Sequence, residues 1–426
     1  MSGIVHDRAI CAVLPISRNA KADGASGSLA STHVSSPTSL WVVAGLAMAP
    51  AVAVGLARFA YALLLPPMRA DLGWTYADAG TMNTANAAGY LAGALLAAAV
   101  DSRLGVKRAF MISIFITAAM VGASGLTPHF GILIALRFAA GAAGAVAFVT
   151  GGSLAAAAAS GGGPARASTV LGFYFGGVGM GILVSALSVP PLLAVAGWQA
   201  GWLSLGAIAL IAGLLAVPAL SRAPNPDRPP ARNEPGEEWS ARFMVHSLAA
   251  YTLFGAGYIA YATFIIAYVR SVEAFTPAEV SLFWALLGAS AIIAAFVWGP
   301  ILPRLKGGRG VAATIAAVTV GAALPLIWSS PSVAFLSAFL FGSSFLAVAA
   351  AVTSCARGAA PPHHWTAAIG TLTAAFGVGQ CAGPVLSGAL SDGPDGVRLG
   401  LWLSVGILAA AATVAMFQSE QKLHAE

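Results

Sequence analysis

The sequence predicts an all-α membrane protein of twelve transmembrane helices arranged as two pseudo-symmetric six-helix bundles, and three observations carry that expectation. Charge is scarce: the 426 residues hold 21 Lys+Arg and 15 Asp+Glu, while 58% of the chain is hydrophobic. A soluble domain would carry about a quarter charged residues. Apolar runs of about twenty residues, each long enough to cross a bilayer, recur along almost the whole chain. Finally, these runs fall into two sets of six around one polar segment, with short motifs repeated across it.

The elements follow in order. Residues 1–39 are rich in Ser, Gly and Ala, and their apolar piece Ala9 to Ile16 is too short to span and has no cleavage site after it, so they read as a disordered cytoplasmic tail. Six runs, broken by charge, Pro or Gly clusters, lie at about 40–65, 79–100, 108–126, 130–158, 168–196 and 201–220, within a first bundle of residues 40–220. Residues 221–242, SRAPNPDRPPARNEPGEEWSAR, are charged and proline-rich and form an extended cytoplasmic linker. Six more runs, at about 243–269, 279–302, 310–328, 333–355, 366–390 and 399–417, make a second bundle over 243–417, followed by a short cytoplasmic tail, 418–426.

With both termini inside, sixteen Lys and Arg fall on the cytoplasmic side and three, Arg69, Arg270 and Arg398, outside, as the positive-inside rule requires. The net charge of +6 is thereby explained by topology and gives no reason to expect a nucleic-acid partner. Cys11, Cys355 and Cys381 form no CxxC pair and imply no disulfide framework.

GLARFAYA at Gly55 to Ala62 matches GAGYIAYA at Gly255 to Ala262, and Gly177-Val-Gly179 matches Gly377-Val-Gly379, both at an offset of 200. Two matches at one offset in equivalent spans point to duplication.

Two six-helix halves, a central linker and inside termini resemble the major facilitator superfamily of secondary transporters. Asp101-Ser-Arg103-Leu-Gly105-Val-Lys107-Arg108, after the second span, resembles the family's G-x-x-x-D-R-x-G-R-R signature, with one extra residue and Ala97 in place of the leading glycine. The resemblance implies a cytoplasmic latch there. Gly299 to Arg304 is its second-half counterpart, with Pro303 replacing the acid. Arg137-Phe-Ala-Ala-Gly141 resembles the R-x-x-x-G motif of the fourth helix. Gly172, Gly176, Gly177 and Gly181 partly match the antiporter motif, without its proline and one of its glycines. The segments Ala57 to Met68, Asp71 to Trp74, Asn83 to Tyr90 and Gly257 to Phe264 are similar to the bacterial YbfB/YjiJ branch. This resemblance covers about residues 40–417 and implies transport by alternating access in a bacterial inner membrane, with no substrate attached.

All fifteen acids lie in tails, loops or helix ends, so the deep charges are Arg58 and Arg137. A charge in the bilayer core costs roughly 2.5 to 3.5 kcal/mol or more, which makes each a functional candidate. Both sit about 10 Å inside the outer boundary at 1.5 Å per residue. The family's first, fourth, seventh and tenth helices line its cavity, which would put both on the substrate path. Two guanidiniums without a carboxylate favour an anion, gripped through paired hydrogen bonds. Their structural alternative is snorkelling or bonding to helix carbonyls. Tyr258 stands opposite Arg58 at the repeat offset. Tyr61 and Tyr261 lie three residues on, near the same face of an α-helix, and packing is their alternative. Asn83 and Asn86 make a polar stripe with Tyr90, for ligand contact or interhelical bonding. Gln380, beside Gly383 and Pro384, reads as gating or packing, and the glycines of the fifth span, Gly172, Gly176 and Gly181, as close-contact positions for rocking.

No Lys is followed by Ser or Thr, which leaves no Walker A loop for a primary pump. Gly122-Ala-Ser-Gly125 imitates a rhomboid protease motif without a deep histidine, and His363-His364 lacks further ligands for a metal. The expected protein is therefore not an enzyme and takes no cofactor or metal. Its partners are the lipid bilayer and a small solute, an organic anion, with a coupling proton left open and a monomer expected. His246 and Asp78 could titrate, but each reads equally as an ordinary helix-end group. Efflux of amphipathic drug-like compounds is the alternative within transport. A non-transporting sensor is the alternative outside it.

Overall fold

The computed structural model describes residues 40–160, 163–226, 240–361, 364–394 and 396–419. The expected tail 1–39, most of the linker, His363 and the end of the C-terminal tail lie outside the described residues.

Among the described residues, ten helices are long and apolar enough to cross a membrane. One of them continues to Arg222 through Gly197, whose φ of 70° and ψ of −175° break it into two. Tyr76–Leu104 is a further helix of 29 residues, made less apolar by the asparagines and threonines of its first half. The described residues therefore form twelve long helices. They are α1 (Leu40–Leu72), α2 (Tyr76–Leu104), α3 (Val106–Ala123), α4 (Phe130–Ala159), α5 (163–196) and α6 (198–222), then α7 (Val245–Ser271), α8 (Pro277–Trp298), α9 (Arg309–Ile327), α10 (Pro331–Ala359), α11 (Trp365–Ser391) and α12 (Gly396–Met416). Successive helices run in opposite directions. The junctions near Gly73, Ser124, Gly197, Ala274, Ser330 and Asp392 thus share a basic-poor end, and the remaining junctions share a basic-rich one.

The two sets of six are built alike. In the first, α2 and α3 pack on α4, α5 on α1, and α3 on α6; in the second, α8 and α9 pack on α10, α11 on α7, and α9 on α12. Between the sets, α2 meets α11 as α8 meets α5. The structural register of this duplication is 201. Gly141 seats on Asn86 as Gly342 seats on Leu287, and Gly176 faces Ile292 of α8 as Gly377 faces Leu91 of α2. Helix starts obey it too. Thr75 and Asp78 form a capping box at the start of α2, and Thr276 and Glu279 form its counterpart on α8. The sequence matches at 200 lie one position from this register.

The helix α1 is not uniform. Pro50 is followed by a π-helical stretch, Ala51–Phe59, closed by the Ala60 N–H bonding to the Gly55 carbonyl at 3.1 Å, and α-helix resumes at Tyr61. Such wide turns are rare and collect at functional sites. This one holds Arg58. It rests on α5 where Gly55 and Gly181 meet backbone to backbone, a contact that any Cβ would block. Helices α1 and α7 are the most enclosed of the bundle, and their central residues are buried almost without interruption.

Candidate functional site

Arg58 is 3% exposed at the centre of the molecule, where the first six helices face the last six. Its Nε donates to Asn86 Oδ1 of α2 at 3.0 Å, and its NH1 donates to Gln380 Oε1 of α11 at 3.1 Å. Gln380, 1% exposed, donates from Nε2 to the Tyr258 hydroxyl of α7. A guanidinium can only donate, so the amide atom facing it must be oxygen, and this fixes the orientation of Gln380. Asn86 passes the network on by donating from Nδ2 to the Arg137 carbonyl at 3.2 Å. The guanidinium carbon lies 4.4 Å from the centre of the Tyr90 ring, a cation–π contact. Its remaining nitrogen, NH2, is buried without a partner.

Arg137 on α4 is 1% exposed. Its NH1 donates to the Ala57 carbonyl, while Nε and NH2 are buried without partners. Tyr61 and Trp202 lie against it, with ring centres 5.3 and 5.0 Å from the guanidinium carbon. Every hydrogen-bond partner of the two arginines is neutral. The described acids Asp71, Asp78, Asp101, Glu273, Glu279 and Asp392 all lie at helix ends or in loops. Two buried positive charges therefore stand in a region whose local compensation comes from amide and carbonyl dipoles and ring faces.

Opposite the arginines is an aromatic wall. Phe376 of α11 stacks on Tyr251, Phe254 and Tyr258 of α7, with centroid distances of 4.5, 5.9 and 5.5 Å. Tyr258 also stacks on Phe345 of α10 at 6.2 Å, and Phe59 of α1 contacts Phe345 and Trp284. The duplication makes this asymmetry explicit: Asn86 and Arg137 of the first set answer at 201 to Leu287 and Ala338 of the second. Both arginines belong to the first set and the run of stacked rings to the second, with the Gln380 amide of α11 reaching from the ring side to Arg58.

The structure brings Arg58, Asn86 and Tyr258 together, with Gln380 between them. It directs Tyr61 and Tyr261 elsewhere. Tyr61 donates to the Ala79 carbonyl at 2.9 Å and stacks on Trp202, while Tyr261 pairs with Ser337 at 2.7 Å and packs on Phe341. The α-helical spacing that would align Arg58 with Tyr61 does not apply through a π-helical stretch. Asn83 bonds Thr263 of α7 at 2.6 Å, a second polar link between the two sets of helices. Arg137 is buried against Tyr61 and Trp202, one helix layer from the Arg58–Gln380 pair.

Of the conformational candidates, Gly172 and Gly176 face α8, Gly181 faces α1, and Gly383 faces α7. Pro384 lies within α11 and its carbonyl meets Gly80 of α2. Asp101, Arg103, Lys107 and Arg108 flank Gly105, which alone separates α2 from α3 and adopts φ 80°. Asp78 belongs to its capping box, and His246 is exposed at the start of α7. The wall residues Tyr251, Phe254 and Phe376 were not singled out in the sequence. Their signal is the spacing Tyr251, Phe254, Tyr258 on α7, one stripe that recurs at i, i+3 and i+7.

Comparison with known proteins fits this geometry. The family model described as uncharacterised MFS-type transporter YbfB matches residues 50–416. The chain is similar to a chloramphenicol resistance protein of Streptomyces lividans, 28% identical over 385 residues, covering 86% of this chain and 93% of that protein. Among solved structures it resembles a bacterial homolog of the human lysosomal transporter Spinster in an inward-facing, occupied conformation, with TM-score 0.68, 16% identity, and 90% and 97% of the two chains covered. It also resembles the peptide transporter POT (TM-score 0.69, 12% identity, 88% and 93% covered) and the nucleoside transporter NupG (TM-score 0.66, 14% identity, 88% and 98% covered). At these identities the solved structures establish the fold alone. The chain belongs to the YbfB-type family of major facilitator transporters, and it is a membrane transporter rather than an enzyme.

Proposed function

We propose that this transporter moves a small amphipathic organic anion by alternating access, with Arg58 as the anchor for its charged end and the ring wall of α7, α10 and α11 as the surface for its apolar body. The observation that carries this reading is the buried Arg58 guanidinium, which has only neutral partners and one nitrogen without any. Leaving a buried donor unpaired costs about 1–3 kcal/mol, and more for a charged group, and a carboxylate oxygen supplies what is missing. Asn86 and Tyr258 orient the anchor. Arg137, buried one layer behind, adds positive potential toward the same centre.

Membership of the family and the excess of basic residues at one end support a bacterial inner-membrane protein with both termini cytoplasmic and the basic-rich end inside. The two helix sets act as bundles 40–220 and 243–417, joined by the linker, and each transporter works as a monomer. The similarity to a chloramphenicol resistance protein favours a second reading, export of amphipathic aromatic compounds. The ring wall suits either direction.

Thermal-shift measurements on purified protein with benzoate, phenylacetate, succinate, chloramphenicol and tetraphenylphosphonium test the reading. Stabilisation by the aromatic carboxylates, lost in Arg58→Gln, is the expected result. Stabilisation by the cation alone, or benzoate stabilisation unchanged in the variant, rejects the anionic anchor. Stabilisation by chloramphenicol that survives Arg58→Gln favours neutral aromatic compounds over anions as the solute, and energised efflux from whole cells then tests export.

A further inference from the structure

We propose that Gln380 is a built-in stand-in for the substrate: its amide oxygen occupies Arg58 when the site is empty, and the arriving anion displaces it. The inference rests on the reading of Arg58 as an anion anchor and specifies how that anchor is regulated.

Both side chains are buried, and they come from opposite sets of helices, Arg58 from α1 and Gln380 from α11. A carboxylate gripping the outer edge of a guanidinium uses NH1 and NH2 together. On Arg58, NH2 is without a partner while NH1 holds the Gln380 oxygen at 3.1 Å. The edge is thus half occupied by a neutral acceptor, and a carboxylate completes it by taking the place of that oxygen. Tyr258 gives the displaced amide its route. Its hydroxyl already accepts from Gln380 Nε2, so the side chain stays tethered to α7 while its oxygen leaves α1.

The exchange has a consequence for the two halves. In the empty site, Arg58–Gln380 is a direct, charge-assisted bond between them, joined by the Asn83–Thr263 bond. Binding of the anion removes the buried charge-assisted link and leaves Asn83–Thr263, the Thr84 bond to the Cys381 carbonyl and the peripheral Asp392 bonds to the start of α2. The loaded carrier therefore separates its halves more readily than the empty one, which makes solute exchange faster than net flux.

Apparent affinity for benzoate, measured by calorimetric or thermal-shift titration on wild type, Arg58→Gln, Gln380→Ala and Gln380→Glu, tests this. Gln380→Ala is expected to bind about ten-fold more tightly than wild type, since one hydrogen bond to a charged group no longer has to be displaced. Gln380→Glu is expected to fold and to lose benzoate binding, because a full carboxylate holds Arg58 permanently. In proteoliposomes, Gln380→Ala should bring net benzoate flux up toward the exchange rate. Absence of benzoate binding to wild type, or binding that survives Arg58→Gln, overturns the anion reading and the inference with it. Binding lost in Arg58→Gln but unchanged or weakened in Gln380→Ala overturns the inference alone. So does undiminished binding in Gln380→Glu, and a Gln380→Ala protein too unstable to assay leaves the Glu variant to decide.

Discussion

At the residue scale, the loop between α7 and α8 concentrates two local costs. Ala274 adopts φ 53°, a left-handed conformation that a side chain pays roughly 1–2 kcal/mol to hold. Its counterpart at the 201 register is Gly73, with φ 65°. The duplicated turn kept its shape while the second copy lost its glycine. Ala274→Gly is therefore expected to raise the thermal midpoint by a degree or more, the strain relieved outweighing the added chain entropy. The neighbouring Glu273 is half-buried, and neither carboxylate oxygen has a hydrogen-bond partner. Burial pushes its pKa up from 4.5 to about 7. An acid whose folded pKa is raised costs nothing while protonated in both states. Its penalty grows as pH rises from about 4.5 to about 7 and stays at its full value above. Solvent screening at this half-exposed site holds that penalty to about 1–2 kcal/mol. Denaturation in detergent between pH 4 and 8 should show stability falling across this window in the wild type and a flatter profile in Glu273→Gln; parallel profiles would exclude Glu273 as the source. Glu273 is also an acid whose position in the sequence, at a helix end, gave no reason to single it out. Burial of its oxygens is a tertiary property that hydropathy along the chain cannot express. Arg58 was the opposite case. A charge within an apolar run is visible in one dimension, but its partner Gln380 lies 322 positions away and only packing brings the two together.

At the scale of elements, periodicity found the helices and missed their irregularities. The twelve runs became twelve helices because a bilayer span must satisfy its own backbone, so length and hydropathy suffice to locate it. The π-helical stretch in α1 was invisible, since it depends on how Gly55 beds against α5, and with it went the rotational position of Tyr61. A second irregularity joins two helix ends. Asp392, just past the end of α11, accepts the backbone N–H groups of Tyr76 at 2.6 Å and Ala77 at 3.0 Å with its two oxygens. These are the first amides of α2, which lack partners within their own helix and carry its positive dipole end. The counterpart of Asp392 at the 201 register is Pro191, so among the described residues this carboxylate clasp is found on the α2–α11 side and not on the α5–α8 side. Asp392→Asn replaces a charged acceptor by a neutral one that can offer a single oxygen. Hydrogen exchange at Tyr76 and Ala77 should then accelerate several-fold while the neighbouring α8 start, capped by its own Thr276 and Glu279, keeps its rate. Equal acceleration at both helix starts would mean general loosening of this end and would remove the clasp as the cause.

For the whole molecule, the question is how two similar sets of helices rock against each other without losing their packing, and the glycines of α5 separate the two demands. Gly181 faces α1 within the first set, where a Cβ would overlap the Ala51 carbonyl. Gly179 faces α8 across the divide, where a Cβ would overlap the Gly288 carbonyl. The clashes are chemically alike, a methyl against a backbone oxygen, but they fall on different parts of the cycle. A clash inside one set is present in every conformation, so Gly181→Ala should lower stability throughout and leave the balance of conformations unchanged. A clash between sets is relieved whenever the α5–α8 seam opens, so Gly179→Ala should shift the population toward the state in which the seam is parted. A shift of about 1.4 kcal/mol already changes that ratio ten-fold, well within what a blocked backbone contact costs. Distance distributions between spin labels placed on exposed turns of α5 and α8 would read the difference directly. A wider population in Gly179→Ala, with Gly181→Ala showing wild-type distances and a lower thermal midpoint, assigns the first contact to motion and the second to the body that moves. Identical behaviour of the two variants would mean that the α5–α8 seam does not part during the cycle, and rocking would then have to be carried by the α2–α11 seam with its Asp392 clasp.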